Sequence, residues 1–130
     1  MHSNAAAVYL AYNTAENAHD LDLLESLVSD DLLVFVNGRA AVGSAAEDRA
    51  AMQRLFTAYP DYRRAIDEIL DTGPRATVRW RMLGTASSPA EPGLDIPGCS
   101  IVTARAGRLA QAYLYYDGAA LDRVLSGTGG

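Results

Sequence analysis

The feature that most limits what this chain can fold into is a change of hydrophobic period near residue 60. Up to Tyr59 the apolar side chains recur at three- and four-residue steps, and beyond Pro60 they alternate. In the first part Ala7, Leu10, Ala11 and Ala15 predict a helix over 4–18, capped by Ser3 or Asn4, with Tyr9 and Tyr12 one turn apart. His19 to Asp22 breaks the pattern, and Leu23, Leu24, Leu27 and Val28 predict a short second helix capped by Asp20. The apolar run 32–36 reads as a strand ending in a turn at Asn37 and Gly38. Ser44, with Glu47 three residues on, opens a third helix that carries Ala51, Leu55, Phe56 and Tyr59 and stops at Pro60.

The alternating half predicts strands over 63–70, 76–85, 100–105 and 109–116. They are separated by residues 71–74, by a Pro- and Gly-rich loop over 87–98, and by Ala106 and Gly107. A closing helix is expected over 118–125, capped by Asp117, with a disordered tail over 127–130. No repeat or linker divides the chain, so residues 1–126 are expected to form one α+β domain. Its three helices would pack on one face of a curved, mostly antiparallel sheet, a cone-shaped barrel with a central cavity.

At 130 residues such a domain buries roughly two-thirds of its unfolded surface and needs neither disulfide nor structural metal to fold. The single Cys99 cannot form an internal bridge and reads as a small buried filler in a reducing compartment. All eleven basic residues are arginine. The absence of lysine excludes Schiff-base and amine-nucleophile chemistry. Two histidines, His2 and His19, cannot supply a multi-histidine metal site or a His-centred triad, and His19 reads as a solvated loop residue. No metal and no cofactor are expected. Guanidinium groups hold carboxylate, phosphate or enolate oxygen but move protons poorly, so proton transfer falls to Asp, Glu, Tyr or water. The net charge of -5 argues against a nucleic-acid partner. No apolar run approaches the ~18 residues of a membrane span and no signal core opens the chain, so a cytoplasmic location without membrane attachment is expected.

Several residues carry two readings. On the strand 76–83, Val78, Trp80 and Met82 share one face and Arg79 and Arg81 the other. Either both arginines are solvated, or Arg79 enters the cavity and fixes an anionic group or developing oxyanion. Tyr113 and Tyr115 share one face of the last strand, Leu114 and Tyr116 the other, which suits core packing or a sheet between a cavity and a partner subunit. Tyr9 and Tyr12 read as packing residues, or as hydroxyl donors to an oxyanion. Asn37 is a turn residue or an amide that positions a water or substrate oxygen. Glu68 is a surface-edge carboxylate or a partly buried one with a raised pKa.

The order of elements and several strings resemble the SnoaL-like polyketide cyclase family. It belongs to the wider nuclear transport factor 2-like superfamily that includes ketosteroid isomerase, scytalone dehydratase and limonene-epoxide hydrolase. The strings are the run from Tyr12 to Asp22, Tyr59-Pro60-Asp61-Tyr62, the run from Arg79 to Thr85, and Gly107-Arg108-Leu109-Ala110-Gln111 followed by Asp117. By this resemblance Tyr12 falls where ketosteroid isomerase has its oxyanion-hole tyrosine. Asn37 and Arg79 fall where the epoxide hydrolase has pocket residues. The relatives' catalytic aspartate, three residues before the position of Asp117, is matched by Leu114, and a second hydrolase aspartate is matched by Arg81.

The resemblance therefore implies a pocket protein of bacterial secondary metabolism, cyclase- or isomerase-like, acting on an aromatic or polyketide-like substrate by enolate or phenolate stabilisation. The alternatives are an accessory ligand-binding protein without the catalytic aspartate, or an epoxide hydrolase-like or hydroxylase-like relative. Expected catalytic residues are Tyr12, Asn37 and Arg79. Expected substrate contacts are Phe35, Trp80, Arg81, Ser100, Leu114 and Tyr116. A small hydrophobic or aromatic ligand and a second copy of the chain, paired through the outer sheet face by Trp80, Tyr113 and Tyr115, are the expected partners.

Overall fold

The helices start where side-chain caps are available. In the computed structural model, which describes residues 4–118, Asn4 accepts the Ala7 amide at 2.9 Å and opens α1, Ala5–Asn17. Asp20 accepts the Leu23 amide at 3.1 Å and opens α2, Leu21–Ser26. Ser44 accepts the Glu47 amide at 3.1 Å and opens α3, Ala45–Ala58. His19 is not a solvated loop residue. It takes a φ of 55° between α1 and α2, bonds the Tyr62 carbonyl at 2.7 Å and stacks on Phe56 at 4.0 Å.

Six strands form one sheet: β1, Val28–Val36; β2, Arg39–Val42; β3, Arg63–Asp71; β4, Arg75–Gly84; β5, Leu94–Arg105; and β6, Arg108–Tyr116. Their order is β2-β1-β6-β5-β4-β3, antiparallel except for the parallel pair β1 and β6. Register irregularities at Ile66/Glu68 and Thr103/Ala104 lie in β3 and β5, and such bulges bend a sheet. The sheet curls, unclosed, around α1 and α3 in the α+β arrangement expected. Strands β1 and β2 stand between α2 and α3, so helices and strands are interleaved more than the period change suggests.

Strand β1 begins at Val28, a residue expected in the second helix and four before the expected strand, and two further strands differ from expectation. The four-residue β2 is a mostly exposed edge strand whose Arg-Ala-Ala-Val sequence carries no alternation. Strand β5 begins at Leu94, inside the segment expected to be a loop. Pro97 is tolerated there because β6 pairing stops at Gly98 and Tyr116, leaving residues 94–97 bonded only to β4. The expected closing helix, apart from Gly118, and the tail lie outside the described residues.

Strand parity decides which side chains see the cavity. Val78, Trp80 and Met82 point inward and are buried, as do Ser100 and Tyr116 on the neighbouring strands. Arg79, Arg81, Tyr113 and Tyr115 are on the outer face. Trp80 is therefore removed from any outer-face contact, and Cys99, in register with Arg79 and Tyr115, is half-buried on that outer side instead of a core filler. Phe35 also faces outward, stacked on Tyr113 at 5.1 Å. Among the described residues no helix is long and apolar enough to cross a membrane.

The indole of Trp80 lies flat across Gly98, its cross-strand partner. A Cβ at that position would stand 2.6 Å from Cζ3 and 2.9 Å from Cζ2 of the ring. Gly98→Ala should cost about 1–3 kcal/mol through overpacking, read as a lower urea midpoint with an unchanged slope. An unaltered midpoint would show that the ring does not occupy this place.

Candidate active site

Helical spacing brings three polar residues of α1 onto one stripe: Tyr9, Tyr12 and Glu16, at steps of three and four. On α3 the stripe Asp48, Ala51, Met52 and Leu55 does the same. These two stripes and the inner face of the sheet enclose a cavity of about 580 Å³. Arg64 from β3, Ser100 from β5, and Leu114 and Tyr116 from β6 complete the wall. Most of the remaining lining is aliphatic, including Val34, Val36, Leu32 and Met82, and Arg39, Glu47 and Arg54 line the same cavity nearer its rim.

The polar end is a hydrogen-bonded cluster. Tyr62 Oη donates to Glu16 Oε2 at 2.6 Å, and Arg64 Nη2 lies 3.4 Å from the same oxygen. Arg64 Nη1 donates to Tyr9 Oη at 3.1 Å, and the guanidinium carbon stands 4.4 Å above the Trp80 ring. Trp80 Nε1 donates to Ser100 Oγ at 2.8 Å. Asn17 fixes the Arg64 backbone: its Oδ1 accepts the Arg64 amide at 2.8 Å while its Nδ2 donates to the Arg64 carbonyl at 3.2 Å. Beside this cluster Tyr12 Oη donates to Asp48 Oδ2 at 2.9 Å.

Asp48 is a buried carboxyl on the cavity wall. Burial, the largest influence, pushes its carboxyl up to about 6; the Glu16 charge pushes the same way, while the Tyr12 hydrogen bond and Arg64 oppose. Burial, with the charges of Asp48 and Glu16, holds the Tyr12 hydroxyl well above its ordinary range, so it remains a donor. A buried carboxyl that titrates near neutrality, bonded to a hydroxyl on a cavity wall, is equipped to take and return a proton. Among the described residues no group of three or more His, Cys, Asp or Glu could hold a metal ion.

Of the residues expected at the site, Tyr12, Ser100, Leu114 and Tyr116 line the cavity. Trp80 stands one layer behind, beneath Arg64. Arg79 does not enter it: its exposed guanidinium reaches Asp67 and Glu68 at 3.5 Å across the outer face. Arg81 likewise pairs with Asp95 at 2.6 Å, outside. The alternation of β4 forces this, since Trp80 and Met82 take the inner face. Glu68 is correspondingly exposed. Asn37 is not among the residues that line the cavity; its Nδ2 donates to the Tyr116 carbonyl at 2.8 Å and its Oδ1 accepts the Tyr116 amide at 3.1 Å, extending the β1–β6 ladder. Asp48, Glu16 and Arg64 were not singled out from the sequence. Their signal is a charged residue in an apolar stripe: Asp48 four residues before Met52, Glu16 four after Tyr12, and Arg64 between Tyr62 and Ile66.

The SnoaL-like domain model matches residues 9–112, and the chain belongs to that family. Solved structures share the fold. A provisionally named SnoaL-like polyketide cyclase from Jannaschia sp. CCS1 superposes with a TM-score of 0.75 at 16% identity, covering 93% of this chain and 90% of its own. AclR, provisionally named a hydroxylase, from Streptomyces galilaeus gives 0.76 at 17% identity, covering 94% and 80%. A provisionally named ketosteroid isomerase from Kribbella flavida DSM 17836 gives 0.67 at 16%, covering 85% and 76%. The architecture is the NTF2-like cone. No curated protein matches the sequence.

Asp48 holds its proton more tightly in the folded state than in the unfolded chain. The fold therefore gains stability as pH falls through the window from about 6 to about 4, and loses it as pH rises, by about 3 kcal/mol in all. Urea denaturation of wild type and Asp48→Asn should show wild type losing roughly this much relative to the variant as pH rises through that window. Parallel pH profiles would contradict the assignment.

Proposed function

We propose that this protein is a small-molecule enzyme of the cyclase or isomerase kind, acting by proton transfer on an aromatic or polyketide-like carbonyl compound of secondary metabolism. The observation that carries the reading is the Tyr12–Asp48 pair, 2.9 Å apart on the wall of an otherwise largely aliphatic cavity. Asp48 takes the proton from the carbon beside the substrate carbonyl, and the electron pair moves into the enolate. The neutral carboxyl then no longer holds the Tyr12 proton, which turns to the enolate oxygen as charge develops there. Negative charge passes from Asp48 to substrate, and reprotonation at another carbon completes an isomerisation. Leu114, Tyr116 and Ser100 would contact the substrate body. Arg79 and Arg81 take no part.

Proton exchange at a carbon acid tests this. With β-tetralone in deuterated buffer, wild type should speed α-proton exchange above the buffer rate, and Asp48→Asn should lose ~10²–10⁴ of that. Arg79→Ala should change nothing. The presence of Leu114 in the cavity favours a second reading, a binding protein without turnover. That reading requires an inert wild type, with exchange appearing in Leu114→Asp.

We further propose a homodimer joined through the outer sheet face. Leu33 and Tyr115 are 45% and 47% exposed there, beside the Phe35–Tyr113 stack, with Arg79–Asp67 and Arg81–Asp95 pairs on the same face. Light scattering should give twice the chain mass for wild type and a monomer for Tyr115→Asp. A monomeric wild type would refute it.

A further inference from the structure

Three carboxylates and three guanidiniums line the cavity, but they are unevenly placed. Two carboxylates, Glu16 and Asp48, stand at its polar end against one guanidinium, Arg64. That cation is already committed: Nη1 to Tyr9, Nη2 to Glu16, its face to Trp80, and its Nε is sealed from solvent without a partner. Arg79 and Arg81 spend their charge on the outer face. The other cavity arginines, Arg39 and Arg54, line it nearer the rim with Glu47, and neither is among the groups that act on Asp48. An anion pushed to the polar end would meet surplus negative charge between aliphatic walls that screen it poorly. An uncharged O–H or C–H acid brings a proton to the Asp48 carboxylate and no second charge.

We infer that the cavity selects its ligand by charge: it takes an uncharged ligand whose buried end offers a proton, as a phenol, enol or carbon acid does, and turns away an anion of the same shape, with Glu16 and Asp48 setting the choice. This rests on the cavity being the functional site. It also deepens that reading, since a neutral substrate lets the single surplus charge pass from Asp48 to the enolate, whereas an anionic one would place two charges together.

The groups that bear on Asp48 are Tyr12 and Glu16 from α1 and Arg64 from β3, while Glu47 and Arg54 from α3 and Arg39 from β2 lie along the wall. Burial carries the Asp48 carboxyl up to about 6, so exclusion of anions is strongest above about pH 6 and relaxes below it.

The test uses three bicyclic probes of one shape: β-naphthol, β-naphthoate and β-naphthylmethylammonium, with binding followed by calorimetry and naphthol fluorescence at about pH 8. Naphthol should bind most tightly, and naphthoate at least about tenfold more weakly. That gap should narrow in Asp48→Asn and, in wild type, as pH falls through about 6. Naphthoate binding as tightly as naphthol, a gap indifferent to both changes, or tightest binding of the ammonium would each overturn charge selection. Leu114→Trp, which fills the cavity, separates the two levels. If no probe binds wild type, or naphthol binding survives Leu114→Trp, the cavity is not the site and both proposals fall. If Leu114→Trp abolishes binding and naphthoate still wins, charge selection alone is overturned.

Discussion

The ion pair between Glu16 and Arg64 is the commitment from which the rest of the interior follows. Both side chains are almost completely buried, and desolvating such a pair costs several kcal/mol that close geometry alone does not recover. The fold offsets the cost with neighbours. Tyr62 and Tyr9 give hydroxyl partners, Trp80 gives a π face, and Asn13 and Asn17 bond the Arg64 backbone. The tyrosine and asparagine bonds fasten α1 to β3 and to Tyr62 just before it, and the indole ties β3 to β4. Once α1 is held in that rotation, Tyr12 lies on the cavity side one turn before Glu16, and α3 brings Asp48 to meet it. Removing either charge would strand the other in the core, which typically costs about 3–5 kcal/mol.

Where physical signals were local, the sequence was readable. Asn4, Asp20 and Ser44 name the three helix starts, and the alternation Val78-Arg79-Trp80-Arg81-Met82 names the inner face of β4 without any neighbour. Periodicity leaves Arg79 either in solvent or in the cavity, and resemblance to relatives whose pockets hold other residues pulls it toward the cavity. What stayed hidden depended on partners far along the chain. Asp48 looks like one more acidic residue in the first turns of a helix until Tyr12, 36 residues earlier, is seen to meet it. Arg64 looks like the second of two surface arginines until Glu16 closes on it. Strand β2 has no pattern because it is an exposed edge, and the start of β5 is masked by Pro97 and Gly98, one tolerated at an unpaired edge and the other required beneath the indole.

The arginine-only composition first suggests a pocket made for anions. In the folded chain Arg79 and Arg81 neutralise carboxylates on the outer face, and Arg64 is consumed by structure. The polar end of the cavity is left with two carboxylates to one guanidinium. At Leu114 the sheet contributes hydrocarbon to the wall, while the Asp48 carboxyl comes from α3.

The parallel ladder between β1 and β6 also sets an order of events. Residues 28–36 find their central partner only in residues 109–116, and Asn37 latches onto Tyr116 at the same junction. Contacts of such sequence separation are entropically expensive to close and slow to form. During synthesis the amino-terminal helices emerge first, but the sheet they must cover lacks its middle until the last strand clears the ribosome. For most of that interval Leu32, Val34 and Val36 have no core to enter, and the nascent chain carries an apolar strand with one open edge. The cavity draws its walls from both ends of this stretch, so its lining is complete only once β6 is in place.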